Sequence, residues 1–203
     1  MKRREFITLV GSAAIAWPLA ARAQQPSVRR IGVLMGIGQS DPEGQTRVMA
    51  LGRGLEQLDL KDGQNVHIEY RWGAGDVDRA RAFATELVSL KPDIILAHGT
   101  PAVTALRAVT RTIPVVFVSV IDPVGAGHVQ SLARPGGNIT GFGTFEPEIG
   151  GKWLELLKEV APGLKRVAGI SDPTFKGFAG VWSAIDHGAE IWPSCALASS
   201  WSL

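Results

Sequence analysis

The chain has 203 residues, 45% of them hydrophobic and 20% charged. Those are ordinary values for one globular domain or two small ones, and they exclude a disordered chain, a collagen-like repeat and a coiled coil. The formal net charge is +2, but four of the basic residues (Lys2, Arg3, Arg4, Arg22) stand in residues 1–23 against the single acid Glu5, leaving 17 basic and 18 acidic side chains in the rest. A near-neutral body without a Lys/Arg cluster argues against nucleic acid as a partner. Cys195 is the only cysteine, so no internal disulfide and no multi-cysteine zinc site can form. His67, His98, His128 and His187 are scattered without metal-ligand spacing, and neither a metal nor a cofactor is expected.

Residues 1–23 read as an export signal: a basic start, an apolar run to Ala20, and Ala21-Arg22-Ala23 as a cleavage site. The run is interrupted by Gly11, Ser12 and Pro18 and is shorter than the roughly 20 apolar residues of a membrane span, so no stable membrane insertion is expected. Arg3-Arg4-Glu5-Phe6-Ile7 resembles a twin-arginine signal, with Lys2 and Thr8 departing from the usual residues. No cysteine follows the cleavage site, which argues against a lipid anchor. The mature chain is expected to begin near Gln24, in the periplasm.

From residue 29 onward strand and helix patterns alternate. Arg30–Met35 is a short apolar run, followed by the polar loop Gly36–Pro42 and a helical stripe of Val48, Leu51, Leu55 and Leu58. Lys61–Asn65 is a turn, and Val66, Ile68 and Tyr70 alternate as a strand. Asp76 opens a helix bearing Ala80, Phe83, Leu87 and Val88 on one face, which Pro92 ends. Asp93–Ala97, in which Ile94-Ile95-Leu96-Ala97 is apolar on both faces, and Val115–Val118, apolar throughout, carry the signature of parallel strands covered on both faces. Between them Gly99-Thr100-Pro101 opens a helix, with Thr100 expected as N-cap and Pro101 at its first position. After Asp122–Gly125 a short helix is expected to about Ala133, then a turn at Arg134–Asn138 and a fifth strand or connector at Ile139–Gly143. A helix from about Glu148 carries Trp153, Leu156, Leu157 and Val160; Arg166–Ile170 starts another strand. Beyond Asp172-Pro173 no sustained period is visible, and Trp182, Trp192, Trp201 and Cys195 fall in a stretch where no full strand-helix unit can be drawn.

In open α/β sheets ligands sit at the carboxyl ends of the strands, near the point where strand order reverses. Four loops lie at that edge: Gly36–Pro42, Arg71–Gly73, His98–Thr100 and Ser119–Gly125. Thr100, at a helix N-terminus, suits a carboxylate or serves as a plain cap. Gly38, Gln39 and Ser40 offer small and polar groups. Asp122 suits a ligand ammonium or caps the following helix, and Trp72 stacks on a ligand or closes the sheet edge. His98 could act as a general base, but no nucleophile partner can be assigned to it. No G-x-S-x-G elbow, P-loop, H-E-x-x-H or G-x-G-x-x-G follows a strand.

The run Asp122-Pro123-Val124-Gly125-Ala126-Gly127, continued by Ser131–Gly141 with its Arg134-Pro135-Gly136-Gly137-Asn138-Ile139-Thr140-Gly141, resembles the ABC-transporter substrate-binding proteins related to tryptophan/tyrosine uptake. Glu86-Leu87-Val88, Pro92–Ile95 and Ile113–Val116 agree with it, and the similarity covers roughly residues 28–171. It implies a periplasmic-binding-protein type I fold: two α/β lobes that close on a small ligand, without catalysis. It further implies first-lobe contacts from Ser40, Thr100 and Asp122 with a solute resembling an amino acid, and an ABC permease of the inner membrane as partner. The first hinge crossing would run from Thr140-Gly141 to Glu146. On this reading residues 1–23 are the signal and 24–143 the first lobe, an α/β parallel sheet flanked by helices. Residues 144–171 are the crossover helix and the start of an incomplete second lobe, and 172–203 an aperiodic, frameshifted or truncated tail. The alternatives are a non-functional product of such a gene, and an exported single-domain α/β enzyme using His98 or Asp122.

Overall fold

The computed structural model describes residues 28–169, 178–190 and 196–198; the expected export signal, Gln24 and Cys195 lie outside them. Five parallel strands form the main sheet: β1 (Arg29–Met35), β2 (Val66–Trp72), β3 (Ile94–His98), β4 (Val115–Val120) and β5 (Ile139–Gly143). Their order is β2-β1-β3-β4-β5, so the direction of winding reverses between β1 and β3, where Met35 pairs with His98. Helices α1 (Pro42–Glu56), α2 (Val77–Ser89) and α3 (Thr100–Val109) connect the first four strands.

Local chemistry sets these boundaries. Asp41 caps α1 by accepting from the Glu43 N–H at 2.8 Å, and Asp76 caps α2 through the Asp78 and Arg79 N–H groups, each satisfying donors a helix start leaves open. The expected stripe of α1 overran its end: the helix stops at Glu56 and Leu58 is 71% exposed. The cap of α3 also differs from expectation. Gly99, at φ 85°, is the N-cap and Thr100 is the first helical residue. A positive φ at the strand-to-helix corner favours glycine there, and it moves the threonine one place into the helix.

The core lies on the face covered by α2 and α3, where Leu34, Ile95, Val115 and Phe117 meet Leu87, Val103 and Leu106. Each such side chain contributes about 1.5–3 kcal/mol of apolar burial. The alternate residues Leu96, Val116 and Val118 are only half-buried, so β3 and β4 are sealed more completely on one face than the other.

The connection from β4 to β5, residues 121–138, contains turns and no helix, correcting the short helix expected to Ala133. Asp122, Gly127 and Gly136 all take positive φ there, which a helix cannot accommodate. Beyond β5, α4 (Ile149–Val160) leads to a second small unit. In it β6 (Arg166–Ala168) and β7 (Ala196–Ala198) pair in parallel, with α5 (Ala179–Glu190) between them. The stretch expected to be aperiodic therefore includes a helix and a strand that complete a βαβ unit. Helix α5 packs tightly on α4 because the contact is lined by glycine: a Cβ on Gly150 would stand 2.5 Å from the Val181 carbonyl oxygen, and one on Gly188 would stand 3.4 Å from the Gly151 Cα. Val181, Ala184, Ile185 and Gly188 form the inward stripe, a helical spacing partly hidden because glycine reads as a breaker. Among the described residues no helix is long and apolar enough to cross a membrane.

Candidate functional site at the strand-order reversal

The carboxyl edge at β1 and β3 is built by close backbone approach. A Cβ on Gly36 would lie 2.7 Å from the His98 carbonyl oxygen and 3.7 Å from its Nδ1, so glycine lets the first loop pass directly over the end of β3. Beneath it His98 is buried, and both of its ring nitrogens lack a hydrogen-bond partner. Burial, reinforced by the nearby Arg47 guanidinium and opposed by Glu43, holds the imidazole below its ordinary pKa, so it is neutral at pH 7. Thr100 is buried as well, and its Oγ1 has no partner. Unpartnered buried polar groups are uncommon in folded proteins. Here two flank Gly99, one at the end of β3 and one in the first turn of α3, whose free N–H groups and dipole favour an anion.

Arg47 completes the arrangement from α1. It is held by Glu43 one turn away and donates to Ser119 Oγ near the end of β4. Ser119 takes φ 56° where the β4–β5 register shifts, a conformation unusual for a non-glycine residue. The first loop, β3, α1 and β4 thus converge at His98, Arg47 and Ser119, with Thr100 two residues beyond His98 at the start of α3.

Thr100 stands at the same sheet edge, buried and without a partner for its hydroxyl. Ser40 lies on the exposed turn before α1. Asp122 is 5% exposed, but its Oδ1 accepts from the Gly125 N–H at 2.8 Å, closing a turn instead of capping a helix. Thr140 and Gly141 stand within β5, paired with Val116 and Phe117; the chain leaves the sheet only after Gly143. Trp72 stacks on Tyr70 with ring centroids 6.5 Å apart and packs over Gly44, while Arg71 pairs with Glu86 at 2.6 Å and Glu69 at 3.2 Å, so the end of β2 is committed to structure. The sequence reading missed Arg47. Its one local signal is Glu43 four residues earlier, a spacing common on any solvated helix.

The chain is thus a doubly wound parallel α/β protein with buried, unpartnered polar groups at its reversal point. The family described as ABC transporter substrate binding protein matches residues 26–184, and the chain belongs to that family. It is 36% identical over 118 residues to a tyrosine-binding protein of Clostridioides difficile (strain R20291), which covers 58% of this chain and 34% of that protein. Among solved structures it is similar to an ABC domain in complex with L-Trp from Streptococcus pneumonia, with TM-score 0.74, 26% identity, and coverage of 86% of this chain and 57% of that one. It is also similar to the ligand-free, open structure of a substrate binding protein with adhesive properties from Clostridium difficile, with TM-score 0.65, 27% identity, and coverage of 86% and 58%. The chain spans about a third of the length of the curated relative and somewhat over half the length of these structural ones.

Proposed function

We propose that the chain is the solute-binding component of an ABC importer, taking an amino acid or a similar small polar solute at the carboxyl edge of its main sheet. The observation that carries this reading is the pair of buried, unpartnered polar side chains, His98 and Thr100, beside Arg47 at the reversal point. A ligand carboxylate would accept from the Thr100 hydroxyl and the Arg47 guanidinium and face the N-terminus of α3. Neutral His98 would offer one donor and one acceptor, and Ser40 a hydroxyl at the mouth. The names of the tyrosine-binding relative and the L-Trp complex support an amino acid as the solute. Asp122, already bonded within its own turn, enters as the residue joining the β4 loop to the second unit. Thr140 and Gly141 begin the hinge crossing, which runs on to Glu146. The reading includes export through the signal in residues 1–23, by the twin-arginine route, to a periplasmic site of action. Its partner is an inner-membrane permease, and the protein carries no catalytic step.

The wall offers two or three hydrogen bonds, each contributing about 0.5–3 kcal/mol, so affinity of the order of millimolar is expected for this wall alone. Titration of the 203-residue chain with L-tryptophan, L-tyrosine and L-leucine, followed by amide NMR, tests it. The expected result is saturable shifts at Gly36, Gly99 and Thr100 with at least one of the three and no chemical change in the ligand. Shifts absent from those amides in the folded chain, or turnover of the ligand, would overturn the reading.

A further inference from the structure

A polar cavity lies at the end of α3 opposite Thr100. Helix α3 runs from the carboxyl edge of the sheet, at Thr100, back to the edge where the strands begin. Its last turn presents Arg107, and Arg111 follows four residues later. The β4–β5 connection folds over this end as turns closed by His128 N–H to Pro123 O (2.9 Å) and Gln130 N–H to Pro135 O (3.0 Å). Gly127, at φ 69°, lets the connection pass the Arg107 guanidinium, Nη1 standing 3.7 Å from where its Cβ would be. Between helix and connection is a cavity of about 340 Å³ lined by Arg107, Arg111, His128, Gln130, Asn138 and the Gly136-Gly137 backbone, among others. That is the lower end of the size range of small-molecule sites.

Two facts point to a ligand of particular chemistry. His128 is 9% exposed, lines the cavity, and has no hydrogen-bond partner at either ring nitrogen, although buried polar groups are ordinarily satisfied. No acidic side chain lines the cavity, and among the described residues neither Arg107 nor Arg111 is in an ion pair. Asn138 Nδ2 donates one of its two N–H groups to the Ile113 carbonyl at 2.7 Å, leaving the second N–H and the Oδ1 acceptor for other partners. The lining is thus two guanidinium groups, an imidazole with one donor and one acceptor, the side-chain amides of Gln130 and Asn138, and glycine backbone, with no carboxylate among them.

We propose that this cavity is a second small-molecule site, distinct from the one at the reversal point, for a compact oxyanion-bearing solute: the guanidinium groups of Arg107 and Arg111 pair with the anion and His128 donates to it. The shared chemistry is the oxyanion; phosphate and carboxylate are its two sources. The proposal stands independently of which solute, if any, binds beside Thr100.

Titration of the ¹⁵N-histidine-labelled 203-residue chain with inorganic phosphate in one arm and succinate in the other tests it, with the His128 ring signals assigned from a His128→Asn spectrum. A saturable shift of the His128 ring nitrogens, with amide shifts at Gly127, Gly136 and Gly137, is expected in at least one arm, and that arm identifies the anion. Arg107→Gln with Arg111→Gln should weaken binding at least about tenfold with the His98 signals unmoved; Arg111→Gln alone, at an exposed position, serves if the double variant unfolds. The proposal is overturned by a folded chain whose His128 signals do not shift saturably up to about 10 mM in either arm, by shifts at His98 in place of His128, or by binding that survives the arginine replacements.

Discussion

The carboxylate of Asp122 is packed against Gly180: a Cβ built on Gly180 would lie 2.3 Å from Asp122 Oδ2. Gly180 is the second residue of α5, so a loop of the main sheet touches the first turn of the second unit, where a carboxylate is electrostatically favoured. Gly180→Ala is expected to force these apart and destabilise the chain by about 1–3 kcal/mol. Asp122→Ala should also cost about 1–3 kcal/mol by leaving the Gly125 N–H unbonded. Urea unfolding of the two variants checks both; a Gly180→Ala midpoint equal to that of the parent would refute the contact.

Gly141 marks a second close approach. A Cβ there would stand 2.1 Å from the Phe117 carbonyl oxygen and 2.6 Å from its nitrogen, and both are backbone atoms of the adjacent strand. Gly141→Ala should therefore cost about 3 kcal/mol or more, whereas Thr140→Ala, at an exposed position of the same strand, should cost under about 1 kcal/mol. Thermal unfolding of the pair separates a packing demand at Gly141 from a demand for hinge flexibility, which would make the two alike.

Thr100→Val tests stability and binding in opposite directions. It removes a buried hydroxyl that has no partner in the unliganded chain, so the free protein should be unchanged or stabilised by up to about 1 kcal/mol. The same replacement should abolish the amino-acid-induced shifts at Gly36 and Gly99. A destabilised variant that still binds would show that Thr100 serves the fold alone.

The buried histidines predict the acid side of the stability profile. Burial is the main cause lowering the pKa of both His98 and His128 from the ordinary 6.5, and nearby arginines add to it. Below pH 6.5 the unfolded chain takes up protons that the folded chain refuses, so stability falls as pH drops. The slope is up to about 1.4 kcal/mol per pH unit for each histidine. Urea midpoints should be flat above about pH 7 and decline toward pH 5. His98→Asn with His128→Asn should flatten that decline; an unchanged slope would assign it to the carboxylates.

The sequence alone determined the order of strands and helices from β1 to β4 and again from α4 to β6, because apolar runs, aspartate caps and prolines act within a few residues of where they stand; the helix expected between β4 and β5 was the exception. It also determined that Thr100 sits at a strand-to-helix corner. What it left open depends on contacts between distant segments. Gly99 rather than Thr100 caps α3 because β3 must turn through a positive φ, and the displaced hydroxyl is buried without a partner. Arg47 became a site residue only when α1 laid it across Ser119, 72 positions away. Gly150 and Gly188 drew no notice in the sequence but are what lets α4 and α5 meet. His128, with no metal or nucleophile spacing to mark it, acquired meaning only when the β4–β5 connection folded over Arg107 and Arg111. Periodicity records which face of an element is apolar; which polar side chains are buried unsatisfied is decided by what the folded chain places beside them.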